Sequence, residues 1–289
     1  MKREVTIGLS LIAAATAVAQ EGELSYKATE IEPGLYMIEG VGGFTGGNLG
    51  LLVGNDGVVL IDDSLPNISQ MTVEEVEDIA GAPVDFVINT HAHGDHVGGN
   101  AALNARGATI VAHENLRRAM AADSANPPES LPELTFTDEV TFHLNGHTAN
   151  VMHVASAHTD GDGIIHFPEV NVIHTGDVMF NYLFPFIDLD GGGSVDGYIA
   201  AQQKMLAMAD DQTRIIPGHG PLASKADLEA AVRMLIDAQS RVKALVDAGR
   251  SKDEILAENP LADYHDTWNW GFITTERMTE TLIRSLTGE

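Results

Sequence analysis

The segment INTHAHGDHVGGN, residues 88–100, sets His91, His93, Asp95 and His96 within six positions, directly after an apolar run. Imidazole and carboxylate donors spaced this closely are suited to holding divalent cations. In an extended strand exit, side chains two apart project to the same side, so His91 and His93 can reach one ion together. Gly94 then lets the chain turn, and Asp95 and His96 face a neighbouring point. One loop could thus serve two ions. A bound divalent ion needs three or four donors, and further candidates follow other apolar runs: His158 in SAHTDGD, Asp177 in VIHTGD and His219 in IIPGHG. Each sits beside glycine or a small residue, where a loop can approach an ion. All lie on one edge if their strands belong to adjacent sheets.

The elements that must position these residues follow from periodicity. GLYMIEG (34–40), NLGLLVG (48–54) and GVVLIDD (57–63) are β-type runs separated by the turn signals GGFTGG and GNDG, which predicts a meander. A helix is expected from Ile68 to Ala80, followed by the strand VDFVINT and the histidine cluster. A helix over Val97–Ala105, the strand ATIVA and a helix over Glu114–Ala121 come next, and the Pro-rich loop ANPPESLPEL closes this half. The second half repeats the order. EVTFHLNGHTANVMHV reads as one hairpin and DGIIHFPEVNVIHTGD as another, turning near Pro168 and Glu169. Helices are expected over 196–209, 224–249, 251–257 and 274–286, with TRIIPGHG as a strand ending in a Gly-rich turn. Strands then helices, twice, predict two sheets packed face to face with helices outside. No linker separates two independent domains, so residues 20–289 are read as one.

Composition narrows the function. The chain has 289 residues, 44% of them hydrophobic, enough for a sizeable core. A formal charge of −26 excludes the basic footprint that a nucleic-acid partner requires and disfavours anionic membrane surfaces. Cysteine is absent, so any metal must be held by His, Asp or Glu. The first segment, MKREVTIGLSLIAAATAVAQ, carries Lys2 and Arg3, an apolar stretch from Ile7 to Val18 and the small-x-small pattern Ala17-Val18-Ala19. It reads as an export signal covering residues 1–19, which makes the mature protein periplasmic or secreted, with no membrane attachment after cleavage.

HAHGDH, AHTDGD, HTGD and PGHG, in this order and at these intervals, resemble the successive motifs of the metallo-β-lactamase superfamily, from the first hairpins to the last helices. The resemblance implies an α+β fold, a four-layer αβ/βα sandwich with two metals between the tops of the sheets. It implies that His91, His93 and His158 bind a first metal, that Asp95, His96 and His219 bind a second, and that Asp177 bridges both. Zinc is the expected ion, with two per chain, and iron and manganese tolerate the same ligands. The implied reaction is hydrolysis of an amide, ester, lactone or thioester of a small-molecule substrate by a metal-bridging hydroxide, with Asp95 orienting it and passing a proton on.

Specificity lies in loops. GVGGFTGGN (40–48) is a Gly-rich turn carrying Phe44, in the position where related enzymes place a flap over the metals. MFNYLFPFIDLDGGGS (179–194) follows Asp177 and brings Tyr182, Phe184 and Phe186 near the site, with Phe44 and Tyr182 the expected substrate contacts. Relatives with a cysteine ligand have it where this chain has Asp177, and no lysine occurs between Lys27 and Lys204 to grip a substrate carboxylate. The pattern is closer to glyoxalase II and lactonases, with β-lactam hydrolysis as a main or secondary activity. Competing readings are a nuclease, disfavoured by charge, a mononuclear iron sulfur-dioxygenase using His91, His93 and His158 alone, and a non-catalytic metal-binding protein. His113, His143, His147, His153, His166, His174 and His265 are read as structural, with His174 close enough to Asp177 to support it. The oligomeric state is left open. N-terminal sequencing of the exported chain is expected to start at Gln20, and a chain that keeps Met1 overturns the export reading.

Overall fold

The computed structural model describes residues 23–288, so the export segment read from residues 1–19 lies outside the described residues. The strands are β1 (Ser25–Glu32), β2 (Leu35–Val41), β3 (Leu49–Gly54), β4 (Gly57–Ile61), β5 (Phe86–Ile88), β6 (Thr109–His113), β7 (Leu134–Phe136), β8 (Glu139–Leu144), β9 (His147–His153), β10 (Gly163–Phe167), β11 (Val172–His174), β12 (Arg214–Ile216) and β13 (Ala223–Ser224). The α-helices are α1 (Ser69–Ala80), α2 (Gly94–Val97), α3 (Asn100–Asn104), α4 (Glu114–Ala122), α5 (Val195–Met208), α6 (Lys225–Asp247), α7 (Lys252–Glu258), α8 (His265–Trp268) and α9 (Thr275–Thr287). One sheet runs β1-β2-β3-β4-β5-β6-β7 and the other β13-β12-β11-β10-β9-β8. The first is antiparallel from β1 to β4 and parallel from β4 to β7.

β3 and β4 are apolar on both faces because both faces are covered. Leu52, Val59 and Ile61 point inward with Ile88 and Val111, against Val151, Ile165, Phe167 and Ile216 of the second sheet. Leu51 and Leu60 point outward against Val73 and Val76 of α1 and Leu103 of α3. On the far side, Ala201 and Met205 of α5 and Leu228 of α6 cover Ile164, Ile173 and Ile215. The result is the expected four-layer αβ/βα sandwich of α+β class. None of the described helices is long and apolar enough to cross a membrane.

Several local features differ from the expectations. β1, β7 and β13 are strands, and α8 a short helix, where the sequence pattern announces none. β1 is mostly exposed and lacks an apolar run, and it pairs through its backbone from Ser25↔Val41 to Glu32↔Leu35. The helix expected over Val97–Ala105 is two short helices, because the Gly98 amide donates to the Ser64 carbonyl at 2.9 Å and leaves the helical ladder between them.

Parallel pairing of β4, β5 and β6, and of β11 with β12, sends their carboxyl ends to the same rim. The chain leaving β4 carries Asp62, that leaving β5 carries His91 to His96, and those leaving β11 and β12 carry Asp177 and His219. Ligand sites of layered sheets form at such rims.

Candidate metal centre

The rim gathers all seven residues singled out from the sequence as metal ligands. Donor atoms of His91, His93, His158 and Asp177 lie within 4.8 Å of one another, and those of Asp95, His96 and His219 form a second group to the same limit. Asp177 joins them. Its Oδ2 is 3.7 Å from His91 Nε2 and 3.5 Å from His158 Nε2, while its Oδ1 is 3.2 Å from His96 Nε2 and 3.5 Å from His219 Nε2. Asp95 Oδ2 closes the second group, 3.4 Å from His219 Nε2 and 3.6 Å from His96 Nε2. In the first group His93 Nδ1 and His158 Nε2 stand 2.8 Å apart.

A sequence model of the metallo-beta-lactamase superfamily matches residues 42–219, which contain every one of these residues. The chain belongs to that superfamily. The match ends at His219, so the last helices lie beyond it. Among curated members, a metallo-beta-lactamase type 2 of Bacillus sp. strain 170 is 27% identical over 171 residues, 58% of this chain and 65% of that one. A hydroxyacylglutathione hydrolase of Synechococcus sp. strain JA-3-3Ab is 32% identical over 115 residues, 40% of this chain and 42% of that one. The chain thus spans about two thirds of the first relative and less than half of the second. Among solved structures, a metallo-beta-lactamase from Pontibacter korlensis superposes with a TM-score of 0.64 at 19% identity, covering 74% of this chain and all of that one. A Pseudomonas aeruginosa metallo-beta-lactamase in a mono-zinc form gives 0.63 at 20% identity, covering 76% and 99%. At these identities the superpositions show the fold.

In this superfamily member the far sides of four of the five rings are held by the protein. His96 Nδ1 donates to Asp62 Oδ2 at 2.7 Å, and His158 Nδ1 to the Phe186 carbonyl at 2.7 Å. His93 Nε2 lies 3.0 Å from Asp188 Oδ2, and His91 Nδ1 lies 3.0 Å from Thr90 Oγ1. Such partners fix the tautomer and the orientation of an imidazole. Asp62 also accepts the Thr90 amide and hydroxyl, each at 2.7 Å, so both its oxygens are engaged. Its left-handed backbone, φ 59°, turns the chain sharply at the end of β4.

The electrostatics separate the two groups. Burial holds His91 well below the ordinary imidazole range and takes His158 down to about 4, despite the nearby Asp177. These rings are neutral donors. Burial opposes charge on His96 and His219 as well, but Asp177 and Asp95 outweigh it, raising His96 well above its usual value and His219 to about 9. Asp177 is fully buried, yet His96, His219 and His91 overcome that burial and hold it well below the carboxylate range. His93 keeps Asp188 down to about 2.

The donor set fits a metal. His91 Nε2, His96 Nε2 and Asp177 Oδ1 are buried atoms without a hydrogen-bond partner, and all three point into the centre. Close approach by the chain is also built in. A Cβ on Gly218 would lie 2.0 Å from Asp177 Oδ1, and one on Gly47 would lie 2.2 Å from His96 Cε1.

A cleft of about 760 Å³ opens over the centre, walled by Phe44, Leu65, Phe180, Phe186, Trp270 and Phe272. Phe44 is 60% exposed and stacks on the His219 ring at 6.0 Å and 18°. Tyr182, expected as a substrate contact, does not line the cleft. Its left-handed backbone, φ 58°, turns the ring outward, and its hydroxyl donates to Asp227 Oδ1 at 2.7 Å. Phe184 is buried in the helical core rather than at the site. No hydrogen bond joins His174 to Asp177; its Nδ1 accepts the Gly176 amide at 3.2 Å and so fixes the turn before Asp177.

Sequence reasoning missed Asp62, Asp188, Trp270 and Phe272. The run GVVLIDD ends an apolar strand in two acids, and that carboxylate at a strand exit was a signal of the same kind as Asp177. Replacing Asp62 by Asn sets an amide group against donors that now meet carboxylate oxygens. A loss of about 1–3 kcal/mol of stability is expected, the usual cost of an unsatisfied buried group. Equilibrium urea unfolding measures it, and an unchanged midpoint removes Asp62 from the support of His96.

Proposed function

We propose that the protein is a dinuclear metal-dependent hydrolase, with zinc the first choice of ion, that cleaves an amide, ester, lactone or thioester bond of a small molecule. The observation that carries this reading is the Asp177 carboxylate, whose two oxygens face two separate donor groups at 3.2–3.7 Å. His91, His93, His158 and Asp177 Oδ2 would hold one ion. Asp95, His96, His219 and Asp177 Oδ1 would hold the other. Imidazoles with carboxylate oxygens suit zinc, and iron and manganese accept them too.

When bound, a pair of divalent ions supplies Lewis acidity and a hydroxide at neutral pH. The chain's own residues position and protonate. The Asp95 side chain is 21% exposed, on the open side of the second group, where it can orient the attacking water, accept its proton and return it to the leaving group. The aromatic walls exclude bulk water and so strengthen the electrostatics of the centre. Similarity to both a metallo-beta-lactamase and a hydroxyacylglutathione hydrolase supports carbonyl hydrolysis as the class, with β-lactams as a main or secondary substrate. A mononuclear iron oxidoreductase needs only His91, His93 and His158, and leaves the buried His96 and the second oxygen of Asp177 without a purpose. Periplasmic or extracellular action is part of the proposal and rests on the Lys2–Ala19 pattern.

Two measurements test it. Elemental analysis of zinc-loaded protein is expected to give two ions per chain, falling to one in Gly218→Ala and in His219→Ala. A wild-type value of one under excess zinc, unchanged in His219→Ala, overturns the dinuclear reading. Asp95→Asn keeps the shape and loses the proton acceptor. Turnover on the best substrate is expected to drop by about 10²–10⁴ with KM changing far less, the range typical of a positioned acid or base. Near wild-type turnover with both ions present leaves Asp95 a structural role alone.

A further inference from the structure

The walls of the cleft bear on what the centre acts upon. Its lining contains Phe44, Phe180, Phe186, Trp270 and Phe272 with Leu65 and Pro66, and no lysine or arginine. The aromatics form one connected surface: Trp270 meets Phe272 at 5.6 Å, Phe272 meets Phe186 at 5.4 Å, and Phe186 lies 5.6 Å from His93. Two of them are strongly exposed, Phe44 at 60% and Phe272 at 46%. Large aromatics left open over a deep polar centre mark a place that an apolar ligand covers.

A cation does stand next to this wall, on its far side. The Arg277 guanidinium lies 4.1 Å from the Phe272 ring centroid and 5.5 Å from that of Phe186, and its Nη1 donates to the Phe272 carbonyl at 2.9 Å. It opens into a separate surface depression shared with Asp188, Asp190, Glu280 and Arg284. The rings therefore separate the guanidinium from the cleft. An anionic tail extending from the centre meets aromatic faces, whose negative quadrupole repels it, and no partner that repays its desolvation.

We propose, resting on the hydrolase reading, that the scissile carbonyl of the main substrate belongs to a neutral apolar acyl or aryl compound, which leaves the anionic β-lactams a secondary place, and that Phe44, Trp270 and Phe272 select it while Phe272 withholds Arg277 from anionic substrates. Trp270 and Phe272 lie beyond the segment matched to the superfamily and Phe44 lies within it, so the C-terminal part of the chain supplies two of the three selecting residues.

The test uses zinc-loaded protein and reads binding by the fluorescence of its two tryptophans, Trp270 in the wall and the buried Trp268. The probes are straight-chain primary amides of four to eight carbons and the same amides ending in a sulfonate, which carries the charge while ligating divalent ions poorly. Dissociation constants of the neutral series are expected to fall about fourfold per methylene, the value for full burial of a CH₂. The sulfonates bind at least tenfold more weakly at equal length. Phe272→Ala, at an exposed position, flattens the chain-length dependence and narrows the discrimination, because Arg277 becomes accessible. The double variant Phe272→Ala, Arg277→Gln restores the discrimination but not the slope. Phe44→Ala flattens the slope alone. A flat wild-type series, equal binding of the sulfonates, or a Phe272→Ala protein unchanged in both respects overturns the proposal. The hydrolase reading is judged separately, on the matching nitrophenyl esters and lactones. Amide binding as described with no bond cleaved sinks that reading and leaves the cleft assignment standing, whereas cleavage with no dependence on chain length or charge does the reverse.

Discussion

Four imidazoles crowd one buried carboxylate, and the arrangement of the rest of the protein follows from keeping it there. Asp177 is 4% exposed and meets His91, His158, His96 and His219 nitrogens at 3.2–3.7 Å. A carboxylate that deep in a protein is costly unless it is surrounded by compensating charge, so the loop carrying it must be fixed from every side. It is. The Tyr198 hydroxyl of α5 donates to the Asp177 carbonyl at 3.0 Å, Gln202 donates to Val178, and the Gly218 amide donates to Gly176 at 2.8 Å. Gly218 has no alternative residue at its distance from Asp177, and the turn after β12 therefore has to be Gly-rich.

The same constraint ties the two halves of the sandwich together. The first sheet supplies His91, His93, Asp95 and His96, and the second supplies His158, Asp177 and His219, so neither half holds a complete donor group. Asn48, at the end of the Gly-rich loop, locks them in register. Its amide donates to the Gly218 carbonyl at 2.7 Å and its side chain to Pro217 and Gly220 at 2.9 and 2.8 Å. The Gly47 amide reaches Asp95 on the other side at 3.2 Å. The loop that presents Phe44 is thus a clamp at its base and a wall of the cleft at its tip.

The centre was legible in the sequence because a chain must declare its donors: imidazoles and carboxylates at the ends of apolar strands, beside glycines, have few other uses. The layers were legible from the β-meander and the two hairpins for a related reason, since buried strands are continuous apolar runs. What was not legible depends on tertiary contact. β1 is held by backbone pairing to β2, which leaves no side-chain period to read. The break between α2 and α3 is made by the Ser64 carbonyl, 34 residues away in the chain from Gly98. The place of Tyr182 outside the cleft lining has no sequence signal either, since its distance along the chain from Asp177 says nothing about a left-handed residue that turns its ring away. Trp270 and Phe272 follow α8 and reach the cleft only because the C-terminal helices pack on α6, a contact with no local signature.

The charge of the whole molecule bears on the same centre. With 42 acidic residues against 16 basic, the surface carries a negative potential that lowers the local concentration of anions and slows their arrival. The aromatic walls of the cleft add nothing to offset that field, because the lining contains no lysine or arginine. A site built this way gains little from long-range attraction of a carboxylate-bearing substrate and must rely on contact. Contact is what the aromatic wall provides, and apolar contact is insensitive to the salt that would screen a charge. The cleft therefore divides the work: carboxylates and imidazoles are gathered at its floor around Asp177, and the walls above them are left to rings.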